Sequence, residues 1–408
     1  MKYNITLEYF NTILTENIMI NPAISNTVEK HGGELKSLSL KIHKCPELGM
    51  EEFNACKWQT ELLKKMGFEV KSPYCGLKTA YFAKSGKGGP VFCFLAEYDA
   101  LPEMGHACGH NLICSAAIGA GKALAETLKE EKIPGTVIVI GTPAEEGKGG
   151  KVQLLSKNGF DNIDAVMMAH PLCRTQPWHG FLSVERFNVS FHGKSSHAAN
   201  SPEKGRNALD AVMLFFQGIN AWRQHLPESS RIHGIVTSGG AAPNIIPDFS
   251  SCSFYLRAEN EAVMKEMIKR FKDIAKGAAL MSGTSCEVKN GEEGYKGGKI
   301  NKTLNAEYFR ITESLGMKPV MPERGGRASS DFGDVSQLIP GTHVYFGISP
   351  KEKPPLHSAK FAEAAKSEYA LNAMLKTSKA MAQIGYRFFT DPDFRKEIKE
   401  DFNSFSDK

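Results

Sequence analysis

The feature that most constrains this chain is a series of short apolar runs, each of which ends in polar residues. Val91–Ala96 has the length and composition of a strand that is buried on both faces of a sheet. Residues 137–141 and 165–169 have the same apolar character. Open α/β sheets gather their functional groups at the carboxyl ends of such strands. The runs therefore predict a sheet with its chemistry at one edge.

The loop after the first run contains candidate metal ligands. Residues 97–110 read EYDALPEMGHACGH, which places Asp99 just past the strand and Cys108 two positions before His110. A thiolate and an imidazole on one loop suit zinc and related metals. The alternative is a turn that contains a buried free cysteine and a hydrogen-bonded histidine. This stretch alone leaves both interpretations open.

The next two runs favour the metal site. Residues 142–147 read TPAEEG, so Glu145 and Glu146 stand side by side just past a strand. Adjacent carboxylates repel each other unless a cation or a shared proton compensates, although two solvated charges on a loop are the commoner case. His170 follows the third run. Three successive strand ends thus carry metal-ligating side chains, and this combination is more specific than any of its members.

Composition excludes several classes of protein. The net charge of +5 is modest for 408 residues, and without a run of lysine and arginine we expect no nucleic-acid partner. No apolar stretch reaches membrane length, and charged residues interrupt the first residues where a signal peptide would be apolar. Nine scattered cysteines indicate reduced thiols rather than a disulfide framework, so we expect a cytoplasmic protein without a membrane partner.

The first part of the chain alternates strand and helix patterns. Residues 1–35 and 34–43 have helical patterns, and 45–49 form a proline and glycine break. Further helices are predicted at 51–66 and 112–128, the second with glycines that suit close packing on a sheet. Strands are predicted at 68–70 and 79–83, with a turn at 84–89. The alternation predicts an α/β fold with a mainly parallel sheet and helices on both faces.

The pattern changes near residue 186. Segments between 186 and 290 follow the order β-α-β-β-α-β, which is the ferredoxin-like arrangement. After a glycine- and lysine-rich linker, a strand is predicted at 342–348 and one long helix at 362–387. We therefore predict a catalytic domain formed by residues 1–185 and 291–408, interrupted by a lid or dimerisation domain at 186–290.

Two polar segments of the last part add candidate residues. His357 lies on the proline-stiffened loop KPPLHS soon after a strand, where a lone histidine is more often structural. It becomes a candidate ligand because the site still lacks one. Asp331 lies in the compact turn SSDFG, which either lines the same cleft or caps a helix; the pattern favours the cap.

The motifs as a set resemble a known family. LAEYDALP, GHACGHN, GTPAEEG, AHP and PLHS occur in this order and resemble the co-catalytic metal amidohydrolases of the M20 metallopeptidase family, which have a zinc-peptidase-like fold. That family includes aminoacylases, carboxypeptidases G and hippurate hydrolases. The further motifs SSHAA, PNIIP and SSDFGDVSQLIPG are similar to the branch of Xaa-Arg dipeptidases and aminobenzoyl-glutamate hydrolases. The resemblance extends from about residue 30 to 400.

The resemblance implies roles for the candidate residues around the metal. Glu145 is implied as the general base, and Asp99 as the carboxylate that orients a ligand. Sequence alone does not decide which of the two adjacent glutamates binds metal; the family pattern selects Glu146. Asn111 departs from the family, which most often has Asp there, and this weakens the expectation that both metal sites are filled. The implied metal ligands are Cys108, His110, Glu146, His170 and His357.

The resemblance also implies roles for residues of the lid. His197 is implied to hydrogen-bond the developing oxyanion in the active site of the opposite subunit of a homodimer. Asn244 and Arg257 match the positions that bind the substrate carboxylate, which suits the chemistry of an amide and a guanidinium. The alternatives are a surface histidine on a hairpin and a surface ion pair for the arginine.

These observations predict a metallohydrolase that cleaves an amide bond next to a free carboxylate. The expected cofactor is a pair of divalent metal ions, zinc first, with manganese, cobalt or nickel as alternatives. A dipeptidase is the leading interpretation, and a hydrolase of aminobenzoyl-glutamate or N-acyl amino acids is the second. A metal-binding protein without activity is the alternative from another class, and retention of both Glu145 and Glu146 together with His197 speaks against it, since binding alone needs no general base.

Overall fold

The computed structural model describes residues 19–322 and 328–404. The amino-terminal part of the predicted helical segment 1–35, residues 1–18, lies outside the described residues. The described helices and strands, in chain order, are α1 (Pro22–Lys44), α2 (Phe53–Lys65), β1 (Glu69–Lys71), β2 (Tyr81–Lys87), β3 (Val91–Ala96), α3 (His110–Glu130), β4 (Gly135–Gly141), α4 (Gly150–Leu155), β5 (Ala165–Leu172), β6 (Ser183–His192), β7 (Ser196–His197), α5 (Ala208–Arg223), β8 (Arg231–Ser238), β9 (Ile245–Ile246), β10 (Phe249–Ala258), α6 (Glu261–Ser282), β11 (Ser285–Asn290), α7 (Lys302–Ser314), α8 (Phe332–Leu338), β12 (Gly341–Gly347), α9 (Ala359–Ala364), α10 (Glu368–Thr390) and α11 (Pro392–Ser404).

The described residues form two compact units. The first contains residues 19–180, 298–322 and 330–404, and the second contains Phe181–Gly297 with residues 328–329. The predicted lid segment 186–290 falls inside the second unit. None of the described helices is long and apolar enough to span a bilayer.

The first unit is organised by a six-stranded sheet in the order β1-β2-β4-β3-β5-β12. Strands β4, β3, β5 and β12 are parallel, and β1 and β2 complete one edge in antiparallel pairing. Every residue of β4 and β12 is buried, so the sheet is covered on both faces at these strands. The predicted α/β class with a mainly parallel sheet is confirmed.

Close packing of α3 on the sheet explains its small residues. A Cβ atom added at Gly121 would lie 2.5 Å from Val139 Cγ2 of β4. One added at Gly119 would lie 2.7 Å from the Ser378 hydroxyl of α10. The predicted packing role of these glycines is therefore confirmed: α3 approaches β4 closely at Gly121 and α10 closely at Gly119.

Three predicted boundaries were wrong. The segment 84–89, predicted as a turn, continues β2 as far as Lys87, because its backbone pairs with β4 despite its polar side chains. The single helix predicted at 362–387 is two helices, since Ser367 caps the start of α10 by accepting from the N–H of Ala370. Helix α1 is continuous across the predicted boundary at residues 34–35.

The second unit contains a four-stranded antiparallel sheet in the order β11-β6-β10-β8. The order of its main elements along the chain is β6, α5, β8, β10, α6 and β11, which is the predicted β-α-β-β-α-β arrangement. Helices α5 and α6 cover the sheet through a core that includes Phe215, Phe254 and Phe271. The two-stranded pairing of β7 with β9 was not predicted, because both strands are only two residues long.

Candidate metal centre

The carboxyl ends of the parallel strands meet at one edge of the first unit's sheet and carry most of the predicted residues. Glu97 and Asp99 follow β3, Glu145 and Glu146 follow β4, and His170 lies near the end of β5. Because parallel strands all end at the same edge, side chains that are far apart in sequence become neighbours there.

One group of donors contains the thiol and two imidazoles. Ligand atoms of Cys108, His110 and His170 lie within 4.8 Å of one another. The Cys108 Sγ atom is 3.3 Å from His170 Nε2. The Nδ1 atom of His170 is already engaged with the Pro171 carbonyl at 2.7 Å, so its Nε2 faces the thiol. This is the arrangement in which a histidine binds a metal through one nitrogen and is held by the other.

Two further groups add the carboxylates and the last histidine. Ligand atoms of Cys108, Glu146 and His357 lie within 4.8 Å of one another, as do those of His110, Glu145 and Glu146. The distance from His357 Nε2 to Glu146 Oε1 is 3.4 Å. The five predicted ligands and Glu145 are therefore gathered at one site.

Backbone geometry fixes the two loops that carry these residues. Gly109 has a φ of 77°, and a Cβ atom there would lie 2.5 Å from Pro171 Cγ, so only glycine fits between Cys108 and His110. The N–H of His357 donates to the Ala107 carbonyl at 3.1 Å, which ties the late loop to the Cys108 loop.

Asp99 links two of the candidate ligands. His110 Nδ1 donates to Asp99 Oδ1 at 3.0 Å, and the N–H of Glu146 donates to Asp99 Oδ2 at 3.0 Å. Burial raises the pKa of Asp99, but the charge and hydrogen bond of His110 outweigh it, so the pKa is lowered. Asp99 is therefore placed to orient His110 as an ionised carboxylate.

The two adjacent glutamates have opposite environments. Burial raises the pKa of Glu145 well above its ordinary value, and the carboxylates of Glu97 and Glu146 raise it further. Burial also raises the pKa of Glu146, but the contact with His357 and the charge of His110 outweigh it, and the net shift is downward. A carboxylate with a raised pKa can carry a proton near neutral pH, whereas one with a lowered pKa stays ionised.

The sulfur and nitrogen donors respond to burial in opposite directions. Burial lowers the pKa of His170 to about 4, and the nearby charge of His110 lowers it further. The imidazole is therefore neutral at pH 7, which is the form that binds metal. Burial raises the pKa of the Cys108 thiol well above its ordinary value, so a cation is needed to hold it as a thiolate.

The residues present fit a bound metal. His110 has Nδ1 bonded to Asp99, while its Nε2 is buried and has no hydrogen-bond partner in the described part of the chain. Thiolate, imidazole and carboxylate form the donor set that zinc and neighbouring transition metals prefer. The donors fall into overlapping groups of three, and the ligand atoms of each group lie within 4.8 Å of one another, so each group is compact enough to hold an ion.

Sequence reasoning missed a buried ion-pair cluster beside these donors. Lys151 Nζ lies 2.5 Å from Glu97 Oε1 and 2.6 Å from Asp331 Oδ1, and all three side chains are buried. The predicted helix cap by Asp331 was wrong: its side chain makes no capping hydrogen bond to α8 and binds Lys151 instead. The only indication of this cluster in the sequence is that Lys151 follows Glu145 and Glu146 by a few positions.

The Asn111 side chain forms hydrogen bonds that connect α3 with other parts of the first unit. Its side-chain amide donates to Ser39 Oγ at 2.9 Å and to the Ala365 carbonyl at 3.2 Å. The side chain thus connects α3 with α1 and with the segment that follows α9.

His197 and Asn244 come together within the second unit. The N–H of Ala198 donates to the Asn244 carbonyl at 3.0 Å, and both side chains are exposed. The N–H groups of Ala199 and Asn200 donate to His197 Nδ1. Nδ1 is therefore the acceptor, and a neutral His197 carries its proton on Nε2, from which it can donate.

Arg257 lies near the end of β10 in the same unit. Its Nη1 donates to Ser329 Oγ at 2.6 Å, and its Nε lies 3.4 Å from His233 Nε2. The Ser329 hydroxyl in turn donates to the Leu182 carbonyl at 2.7 Å. These bonds leave Nη2 of the guanidinium for a further acceptor, and the described contacts of Arg257 do not include the surface ion pair that was its alternative interpretation.

Comparison with known proteins gives matches that agree with one another and that cover most of the chain. A family model described as a peptidase dimerisation domain matches residues 184–282. The human Xaa-Arg dipeptidase is 35% identical over 92% of this chain and 90% of its own length. A p-aminobenzoyl-glutamate hydrolase subunit of Escherichia coli is 28% identical over 94% of this chain and 95% of its own length.

Solved structures share the fold. A dinuclear metal-binding peptidase of the M20 family from Bacillus subtilis superposes with a TM-score of 0.68 at 22% identity, covering 88% of this chain and 99% of that one. A putative aminohydrolase from methicillin-resistant Staphylococcus aureus gives a TM-score of 0.75 at 21% identity, covering 90% and 99%.

Proposed function

Since this chain belongs to the M20 peptidase family of metal-dependent amidohydrolases, we propose that it is a dipeptidase that cleaves the amide bond next to a residue with a free carboxylate. The observation that carries the proposal is the meeting of Cys108, Glu146 and His357 within 4.8 Å, although they are widely separated along the chain. Glu145 beside them gives the site a carboxylate that binding alone would not need.

The similarity to a human Xaa-Arg dipeptidase favours substrates that end in arginine or another basic residue. The second candidate is an amide of glutamate or of another amino acid carrying an aromatic acyl group, favoured by the similarity to a p-aminobenzoyl-glutamate hydrolase. Both candidates have a carboxylate beside the bond that is cleaved, so they differ in the groups on either side of it.

We propose that two divalent metal ions bind to donors at the edge of the sheet where the carboxyl ends of the parallel strands meet. Zinc is the leading candidate for these ions. A bound ion pair would lower the pKa of a water molecule and polarise the amide carbonyl. The resemblance to the family also makes manganese, cobalt and nickel candidates, and the soft Cys108 thiolate favours zinc or cobalt among them. The proposed ligands are Cys108, His110, Glu146, His170 and His357.

The proposed chemistry of the chain's own groups follows from their environments. A carboxylate oxygen of Glu145 takes the proton from the attacking water and passes it to the leaving amine, a transfer that suits its raised pKa. Asp99 holds His110 in one tautomer through Nδ1. Asp99 and His110 are both buried, which keeps bulk water from competing for the proton between them.

For the second unit we propose roles that follow the family resemblance. His197 donates from Nε2 to the developing oxyanion, and Asn244 and Arg257 bind the substrate carboxylate. A homodimer is proposed because the dimerisation-domain model matches residues 184–282. All nine cysteines are free thiols, which supports a reducing, cytoplasmic location.

The test is hydrolysis of a dipeptide panel by metal-loaded protein. The panel contains dipeptides that end in Arg, Lys, Glu and Leu, together with aminobenzoyl-glutamate and N-acetyl amino acids. The matched variants are Glu145→Gln, which keeps the shape of the side chain, and Glu130→Gln, which makes the same change at an exposed end of α3.

We expect the wild type and Glu130→Gln to hydrolyse dipeptides that end in Arg or Lys fastest, and Glu145→Gln to be slower by at least about a hundredfold. Faster hydrolysis of aminobenzoyl-glutamate would favour the second candidate. A wild type as inert as Glu145→Gln on every compound would favour a metal-binding protein without activity.

A further inference from the structure

A lysine ammonium occupies a fully buried position beside the proposed catalytic carboxylates. Lys151 Nζ donates to Glu97 Oε1 at 2.5 Å and to Asp331 Oδ1 at 2.6 Å, while the backbone N–H of Lys151 donates to Asp331 Oδ2 at 2.9 Å. Both oxygens of Asp331 are thus used by one residue. The exposed fraction of the Lys151 and Asp331 side chains is 0%, so bulk solvent does not reach this pairing.

This cluster is continuous with the candidate metal centre on two sides. The second oxygen of Glu97, Oε2, is 3.6 Å from His110 Nε2, the nitrogen that the bond to Asp99 leaves for a metal. Carboxylate oxygens of Glu97, Glu145 and Asp331 also lie within 4.8 Å of one another. Lys151 therefore places an ammonium against two of these three buried carboxylates, Glu97 and Asp331.

Burial of the Lys151 ammonium costs desolvation free energy, so a reason is needed for a lysine at this position. Moving an ammonium out of water costs several kcal/mol unless opposite charges surround it, and apolar residues would often be at least as stabilising in the same place. Burial lowers the pKa of Lys151, but Asp331 and Glu97 outweigh this effect and raise it, so the side chain stays charged. Stability alone is therefore a poor reason for a lysine at this position.

We propose that Lys151 is a positioning residue for the reaction: its ammonium fixes Glu97 beside His110 and holds Glu97 and Asp331 against Glu145. The inference rests on the proposed function, because it gives Lys151 its role through Glu145 and a metal ligand. The cluster around Lys151 also brings together four segments that are separate in sequence. These are the loops after β3 and β4, helix α4 and the start of α8.

Outer partners that hold the groups around a metal in place commonly affect metal affinity or activity ten- to hundredfold. We therefore expect Lys151→Met to lower kcat ten- to hundredfold while KM changes by less than about threefold, since the fully buried Lys151 side chain is paired with Glu97 and Asp331 and is not proposed to bind the substrate. Lys157→Met is the matched control, because Lys157 is exposed just past the same helix.

A structural role is separated from a positioning role by a second variant. Lys151→Met together with Asp331→Asn removes one positive and one negative charge, so the net charge of the cluster is that of the wild type. Glu97, however, loses its only ammonium donor in the cluster. We expect this double variant to fold as the wild type does, as measured by circular dichroism and Tm, and to keep the low kcat.

The second readout does not depend on activity. In cobalt-loaded protein, the visible absorption spectrum reports the arrangement of the ligands around the ion. We expect the spectrum to shift in both Lys151 variants and to be unchanged in Lys157→Met, because only the former release Glu97 next to His110.

Each outcome decides the proposal. A folded double variant with the wild-type spectrum and kcat would overturn it, and so would a double variant that fails to fold, because Lys151 would then be needed for the fold alone. If the single variant does not fold, the double variant decides. If the wild type binds cobalt but hydrolyses no compound of the panel, the proposed function fails while the spectra still test the position of Glu97. A wild type that takes up no cobalt would overturn both.

Discussion

The Oδ1 atom of Asp99 lies 3.0 Å from Nδ1 of His110, and neither side chain is exposed to solvent. This contact fixes both the tautomer and the ring orientation of the histidine. Because Asp99 also accepts the N–H of Glu146 at 3.0 Å, one carboxylate sets the positions of two proposed ligands. The first prediction follows from this double role.

Asp99→Asn is expected to weaken metal binding ten- to hundredfold, because the amide keeps the shape but loses the charge that orients His110. Competition with a chromophoric chelator measures the affinity. Asp161→Asn, at an exposed position of the same unit, serves as the control. Equal affinities of the two variants would contradict the role of Asp99.

Metal removal is expected to destabilise the protein, since buried donors of like charge lose the ion that compensates them. A metal at a hundred times its Kd stabilises the folded state by about 2.7 kcal/mol, so chelation should lower Tm by several degrees. In Cys108→Ser the shift should be much smaller, because a neutral hydroxyl is a poor ligand. Cys286→Ser in the second unit should respond as the wild type does, and a full shift in Cys108→Ser would rule out the thiolate as a ligand.

Gly121→Ala is expected to lower the free energy of unfolding by about 1–3 kcal/mol, because the new Cβ would overpack the interface of α3 with the sheet. That atom would lie 2.5 Å from Cγ2 of Val139, whose branched side chain has little freedom to move. Gly33→Ala is the matched control in helix α1, where a Cβ meets nothing within 4 Å, and it should stabilise by up to about 1 kcal/mol. Urea denaturation of both variants measures the difference, and a stable Gly121→Ala protein would show that the sheet can yield there.

Asp391 predicts a dependence of stability on pH. The N–H of Phe394 donates to Asp391 Oδ1 at 3.0 Å, and the Arg387 guanidinium lies 3.1 Å from Oδ2. The helix-cap hydrogen bond, followed by the arginine, lowers the pKa of Asp391 below 3.8. The unfolded chain therefore binds the proton more readily, so the stabilisation is complete above about pH 4 and is lost as pH falls through the lower, folded-state pKa.

Asp391→Asn is expected to be less stable than the wild type by about 0.5 kcal/mol at pH 7, a modest value because the pair is partly solvated. The difference should shrink as pH falls below about 4, because the wild-type carboxyl takes up its proton first in the unfolded state and only at lower pH in the folded state. Thermal unfolding at a series of pH values measures it. A difference that stays constant down to pH 2 would show that the charge of Asp391 contributes nothing.

The strand ends could be predicted from the sequence because hydrophobic periodicity is local and parallel strands must end at one edge. Glu145, Glu146 and His170 could be placed together on this basis. The pairing of Lys151 with Asp331 could not be predicted in this way, since it joins segments that have no shared pattern. The break before Glu368 was missed for a different reason: a serine cap inside a helical pattern acts through a single hydrogen bond, which hydrophobic periodicity does not register.

The bond from the His357 N–H to the Ala107 carbonyl has a consequence for how the site is made. During synthesis on the ribosome, the loop with Cys108 emerges long before residue 357, and the whole second unit is translated in between. The nascent chain therefore lacks both the late histidine and the backbone contact that braces the earlier loop. Capture of the metal should accordingly be one of the last events in the maturation of the protein, after most of the chain has left the exit tunnel.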